Sequence, residues 1–204
     1  MLENIRGIVT AIISPIARLL LRLGVSPDAV TLVGTLCTCG AALWLAPQGH
    51  LIAAALSVTA FALFDLLDGT MARMSDRVTK FGAFFDATLD RIADATVFGA
   101  VILYFGTIGN TFGQATSLFC LVTGAAVSYA RAKGESLGFT ARAGLMERAD
   151  RLVVLGLCAI AADLSDKPEI LAWGLLVLGV LTSVTLVQRM LTVRTQATEA
   201  TRTA

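Results

Sequence analysis

The stretch FDLLDGTMARMSDRVTKFGAFFDATLD, residues 64–90, sets Asp65, Asp68, Asp86 and Asp90 in a chain otherwise apolar enough to sit in a bilayer. The first two acids are three residues apart and the last two are four apart, so on helices each pair shares a face. Ionised carboxylates are costly near lipid, and several in one segment need partners; a divalent cation is the natural one. Oxygen-only donors suit magnesium or manganese rather than zinc or copper. Four carboxylates can hold two such ions at the ~3.5–4 Å separation of two-metal phosphoryl chemistry. Gly69 and Ala72 lack bulk and let a ligand approach the helix, Arg73 supplies a fixed cation, and Gly82 opens the turn before Asp86. The bland alternative is a set of structural ion pairs among Asp76, Arg77, Arg91 and the aspartates.

The chain around this stretch is that of an integral membrane protein. Hydrophobic residues make up 56% and charged residues 15%, where a soluble domain carries about 25% charge. Apolar segments fall at 29–46, 51–72, 82–106, 112–130, 152–164 and 169–188, most of them near the ~20 residues that span hydrocarbon. Turn chemistry separates several of them, at Pro47-Gln48-Gly49-His50, Gly106–Gly113 and Ser165-Asp166-Lys167-Pro168. The expected fold is all-α: six transmembrane helices in one domain over 25–191, with both chain ends on the same side. Residues 192–204 read as a poorly ordered tail.

Basic residues set the orientation. Arg6, Arg18, Arg22, Arg73, Arg77, Lys80, Arg131, Lys133, Arg142, Arg148, Arg151, Arg189, Arg194 and Arg202 collect on one face, while the opposite loops hold only Lys167. The rich face is cytoplasmic by the positive-inside rule, and the aspartates open toward it. In the first 24 residues Glu3, Arg6, Gly7, Thr10, Ser14, Arg18 and Arg22 form a polar stripe opposite Ile and Leu, which predicts an amphipathic helix lying in the interface. Arg18 and Arg22 interrupt any signal-peptide pattern. Cys37, Cys39, Cys120 and Cys158 lie in apolar spans and read as buried free thiols; His50 sits in an outer loop, away from the acids.

The pattern Asp65-x2-Asp68-Gly69-x2-Ala72-Arg73-x8-Gly82-x3-Asp86-x3-Asp90 resembles the signature of the CDP-alcohol phosphotransferases at every fixed position. The resemblance implies replacement of CMP on a CDP-linked lipid by an incoming hydroxyl, with two magnesium or manganese ions. Asp65, Asp68 and Asp86 would hold the first ion, and Asp65, Asp86 and Asp90 the second. Asp90 would be the general base. Gly69, Ala72, Arg73 and Thr79 would contact the CDP part, and Asp28-Ala29-Val30-Thr31 resembles the family's second nucleotide-contacting strip. The chain looks most like the actinobacterial branch that uses myo-inositol 1-phosphate and CDP-diacylglycerol. Lys133, Arg151 and Arg189, with Arg131 and Arg148 behind them, would then read the acceptor phosphate. The family also implies a homodimer in the plasma membrane, and no nucleic-acid partner is expected.

Two other readings compete. A glycerol 3-phosphate acceptor would want the same basic pocket. A divalent-cation transporter would place its acids near the bilayer midplane on broken helices, without a cation such as Arg73 beside them. Asp94, one turn beyond Asp90, is expected to pair with Arg91 at i−3.

Overall fold

The computed structural model describes residues 13–62, 64–75, 79–141 and 143–203, with the side chains of 65, 66 and 200–203 left aside. Glu3, Arg6, Gly7, Thr10, Asp76, Arg77 and Arg142 therefore lie outside the described residues, as do the side chains of Asp65 and Arg202. Among the described residues the chain is all-helical: α1 over 13–22, α2 Pro27–Leu45, α3 Leu51–Ala62, α4 Phe64–Met74, α5 Lys80–Thr107, α6 Thr111–Ser136, α7 Arg148–Ser165 and α8 Pro168–Thr203. By length and apolar composition α2, the stretch Leu51–Met74 and Pro168–Glu199 can each cross a membrane. Large apolar side chains such as Trp44, Leu157, Leu164 and Trp173 point outward, as lipid-facing helices require.

Where the sequence suggests one domain over 25–191, the contacts group into two compact units. The first comprises Met1–Trp44 and Leu56–Val97; the second comprises Leu45–Ala55 and Phe98–Ala204.

In the first unit α2 organises the packing. Pro27 opens the helix with its fixed φ, and the Ser26 hydroxyl caps the Ala29 N–H at 3.2 Å. Pro27, Val30, Thr31, Gly34, Thr38 and Ala42 make one buried stripe of mostly small residues. Val30 joins Ala17 of α1 and Met71 of α4 in an apolar cluster flanked by Leu20, Leu21, Phe64 and Leu67. Gly34 has no room for a Cβ, which would stand 2.8 Å from that of Phe64. On α1 Ala17 is buried, while Arg18 and Arg22 are exposed together with Ile16 and Leu19.

The second unit is built on α8. Leu171, Leu175, Leu178, Thr182, Thr185 and Arg189 recur at steps of three and four and are all buried, so the stripe changes from apolar to polar along its length. The hydroxyls of Thr182 and Ser117 donate to carbonyls four residues earlier, at 2.7 Å each, and so cost nothing inside an apolar bundle. Beyond residue 192, where composition suggests a loose tail, α8 continues to Thr203. Its side chains have work there: Gln196 accepts from Thr140 N–H (2.9 Å) and donates to Thr140 O (2.8 Å). Arg189 Nε donates to Ala143 O at 3.0 Å, and Thr185 Oγ1 accepts the Met146 N–H at 3.1 Å. The segment joining α6 to α7 is thus strapped along α8 at three points.

Candidate active site

The acids of the signature sit on α4 and α5, and the first turns of α2 reach both. Thr31 donates its hydroxyl to Asp68 Oδ2, and both residues are about nine-tenths buried. One turn earlier, Asp28 Oδ1 lies 3.3 Å from where a Cβ on Gly82 would stand, and Thr79 Oγ1 lies 3.1 Å from it. Thr79 also caps α5 by accepting the Gly82 N–H at 2.9 Å. Any side chain at 82 would push apart Asp28 and Thr79, which explains the glycine without appeal to backbone freedom. On α4 the exposed Arg73 folds back toward its own helix: Nη2 donates to Thr70 Oγ1 at 3.2 Å, and Nη1 lies 3.7 Å from the open position over Gly69. Ala72 is half-buried beside it. The backbone of Asp65 lies on α4 one turn before Gly69.

Along α5, Asp86, Asp90 and Asp94 follow at one-turn intervals, from exposed through half-buried to buried. The expected ion pair of Asp94 with Arg91 is present at 3.7 Å, and the same Nη2 lies 3.7 Å from Asp90 Oδ2. Contacts this long at a half-exposed arginine contribute about 0–1 kcal/mol each, so Arg91 orients the two acids more than it anchors the helix.

The basic residues of the acceptor reading fall in the second unit and differ sharply in setting. Arg189 is 4% exposed and donates through Nη1 to Val127 O at 2.8 Å as well as through Nε to Ala143 O. A guanidinium has five N–H donors, so three remain beyond these two bonds. Arg151 is 3% exposed and lies on α6 at Gly124, its Cζ 3.5 Å from where a Cβ would be. Arg131 pairs with Glu135 at 3.1 Å, Arg148 is half-buried, and Lys133 is exposed.

The donor set of Asp68, Asp86 and Asp90, all carboxylate oxygens, suits a hard dication such as magnesium or manganese better than zinc. Among the described residues no three His, Cys, Asp or Glu side chains come together closely enough to hold a metal ion, and the side chain of Asp65, the fourth acid, is outside them. The burial of Asp68 with a hydroxyl fixed on one oxygen is what a pre-oriented ligand requires.

The sequence profile of the CDP-alcohol phosphatidyltransferases matches residues 24–184, which includes α2 and the whole acid signature. The chain belongs to the CDP-alcohol phosphatidyltransferase family. Within it, the phosphatidylinositol phosphate synthase of Streptomyces avermitilis is 43% identical over 202 residues, covering 96% of this chain and 83% of the relative. That of Corynebacterium glutamicum is 44% identical over 168 residues, covering 80% and 77%. The crystal structure of the Mycobacterium tuberculosis phosphatidylinositol phosphate synthase with CDP-DAG bound superposes with a TM-score of 0.86 at 40% identity, covering 90% of this chain and 94% of that one. The same enzyme in complex with manganese and citrate gives 0.85, again at 40% identity, covering 90% and 89%.

The family match spans the acid signature that the spacing picks out. The structure meets in part the ion-pair alternative read from the sequence, since Arg91 lies 3.7 Å from both Asp90 and Asp94. It also gives Val30 an apolar setting, so within the strip 28–31 that side chain packs in the core.

Proposed function

We propose that this protein transfers the phosphatidyl group of CDP-diacylglycerol to the hydroxyl of myo-inositol 1-phosphate, giving phosphatidylinositol phosphate and CMP. The observation that carries the reading is the pairing of a complete acid signature with two arginines, Arg151 and Arg189, that are almost fully buried in an apolar helical protein. Buried guanidiniums are kept where planar, multidentate recognition of an anion is needed.

Asp65, Asp68 and Asp86 hold one magnesium or manganese ion, and Asp65, Asp86 and Asp90 the second. Bound there, the ions neutralise the diphosphate and favour in-line displacement of CMP. Asp28, Ala29, Gly69, Ala72, Arg73 and Thr79 form the CDP side, with Val30 contributing main chain only and the Thr31 hydroxyl turned to Asp68 instead. Arg73 faces the charge that develops on the departing CMP. Asp90 accepts the proton of the attacking hydroxyl, kept in orientation by Arg91. Lys133, Arg151 and Arg189 read the acceptor phosphate, with Arg131 and Arg148 behind them. The reading places the protein in the plasma membrane as a homodimer. Its spans are α2, the stretch Leu51–Met74, α5, α6, α7 and α8; residues 1–24 lie in the interface, and the acids open to the cytoplasm.

The test is CMP release by purified protein given CDP-diacylglycerol and magnesium, with inositol 1-phosphate, glycerol 3-phosphate or free inositol as acceptor. Release with inositol 1-phosphate alone is expected. Release only with glycerol 3-phosphate would overturn the acceptor and keep the acid chemistry.

A further inference from the structure

The resemblance assigns Thr31 to the nucleotide strip, but its hydroxyl is directed elsewhere. Two acceptors lie within reach of its single proton: the carbonyl of Pro27, four residues earlier at 3.2 Å, and the carboxylate of Asp68. The Asp68 contact is the shorter of the two, so the proton goes to Oδ2. Thr31 and Asp68 stand on different helices, 37 residues apart, and both are buried at 7% exposure. Threonine is β-branched, so its χ1 is stiff, and Pro27 fixes the start of the helix that carries it.

We propose that Thr31 is a positioning residue for metal binding: its hydroxyl holds the Asp68 carboxylate in one orientation for the ion. This rests on the metal reading above and deepens it. A ligand whose outer oxygen is already fixed has less freedom to lose when the ion arrives, and removing such a partner weakens metal affinity by about 10–100-fold. A nucleotide contact at the same residue would leave the affinity for metal alone untouched. The two roles therefore separate cleanly.

The experiment titrates the full-length protein in detergent with Mn2+ in the absence of nucleotide, following free Mn2+ by electron paramagnetic resonance. Thr31→Val keeps the shape and removes the donor; Thr31→Ser keeps the donor. Thr31→Val is expected to bind Mn2+ about 10–100-fold more weakly than wild type. Thr31→Ser should stay within about threefold, and the KM for CDP-diacylglycerol at saturating metal should be unchanged in both. Unchanged Mn2+ affinity in Thr31→Val, with a raised KM for the CDP-lipid, would overturn the proposal in favour of a nucleotide contact. Should Thr31→Val fail to fold, Thr31→Cys keeps the volume with only a weak donor; the same loss is expected, and wild-type affinity there would equally overturn the proposal. Wild-type protein that binds no Mn2+ saturably would refute the metal reading itself, a result distinct from a failure of Thr31 alone.

Discussion

In the first unit the carboxylates of Asp68, Asp90 and Asp94 are met by other side chains, a threonine hydroxyl and the Arg91 guanidinium. In the second, Arg189 spends two N–H groups on main-chain carbonyls and Arg151 lies against a helix at a glycine. A side chain held by side chains can be exchanged for an isostere with little effect on the backbone, because no main-chain group loses its partner. One that satisfies buried carbonyls is part of the fold, and its removal leaves acceptors unpaired. Chemistry and stability are therefore separable at the acids and fused at the buried cations.

The largest effect expected from this contrast is at the acids. Asp68→Asn and Asp86→Asn should each lower turnover by on the order of 10³-fold while the thermal midpoint stays close to wild type. A variant that melts early, or retains turnover, breaks the separation. Next come the cations. Arg189→Ala should cost about 3 kcal/mol of stability along with acceptor binding. Lys133→Ala, at an exposed position, should raise the acceptor KM about tenfold, leave the KM for the CDP-lipid alone and not move the thermal midpoint. Equal melting curves for the two variants would show that burial at Arg189 carries no structural weight. The smallest effect belongs to the strap: Gln196→Ala should cost about 1 kcal/mol and make the 138–147 segment easier to cleave by limited proteolysis. A cleavage rate equal to that of wild type would detach Gln196 from the strap's order.

Much of this was legible because it lies within one helical turn. Asp65 and Asp68, Asp86 and Asp90, and the pair Arg91–Asp94 all follow from spacings of three or four. The apolar segments announce their helices for the same reason. What sequence hides is contact at a distance. Nothing local joins Thr31 to Asp68, or Asp28 to Gly82, although the spacing marks 28 and 31 as one face of α2. The end of α8 is hidden for the same reason: Thr, Ala and Arg composition suggests looseness, while Gln196 finds its partner 56 residues away and Gly134 lies close to Val193. The division into two compact units is equally silent in a sequence with no linker.

The strap has one further consequence, which concerns length. Thr140, Ala143 and Met146 are spaced by three residues, and their partners Gln196, Arg189 and Thr185 by seven and then four. Three residues of chain reach at most about 10 Å, the same as seven helical residues, so the first step has little slack. Four helical residues cover only about 6 Å, so the second step must shed excess chain. It does so at Gly144, whose φ of +148° and lack of a Cβ beside Thr185 let the backbone fold inward. The helix thus acts as a vernier for the loop. A single residue inserted between Ala143 and Met146 would throw the α6–α7 connection out of step with α8.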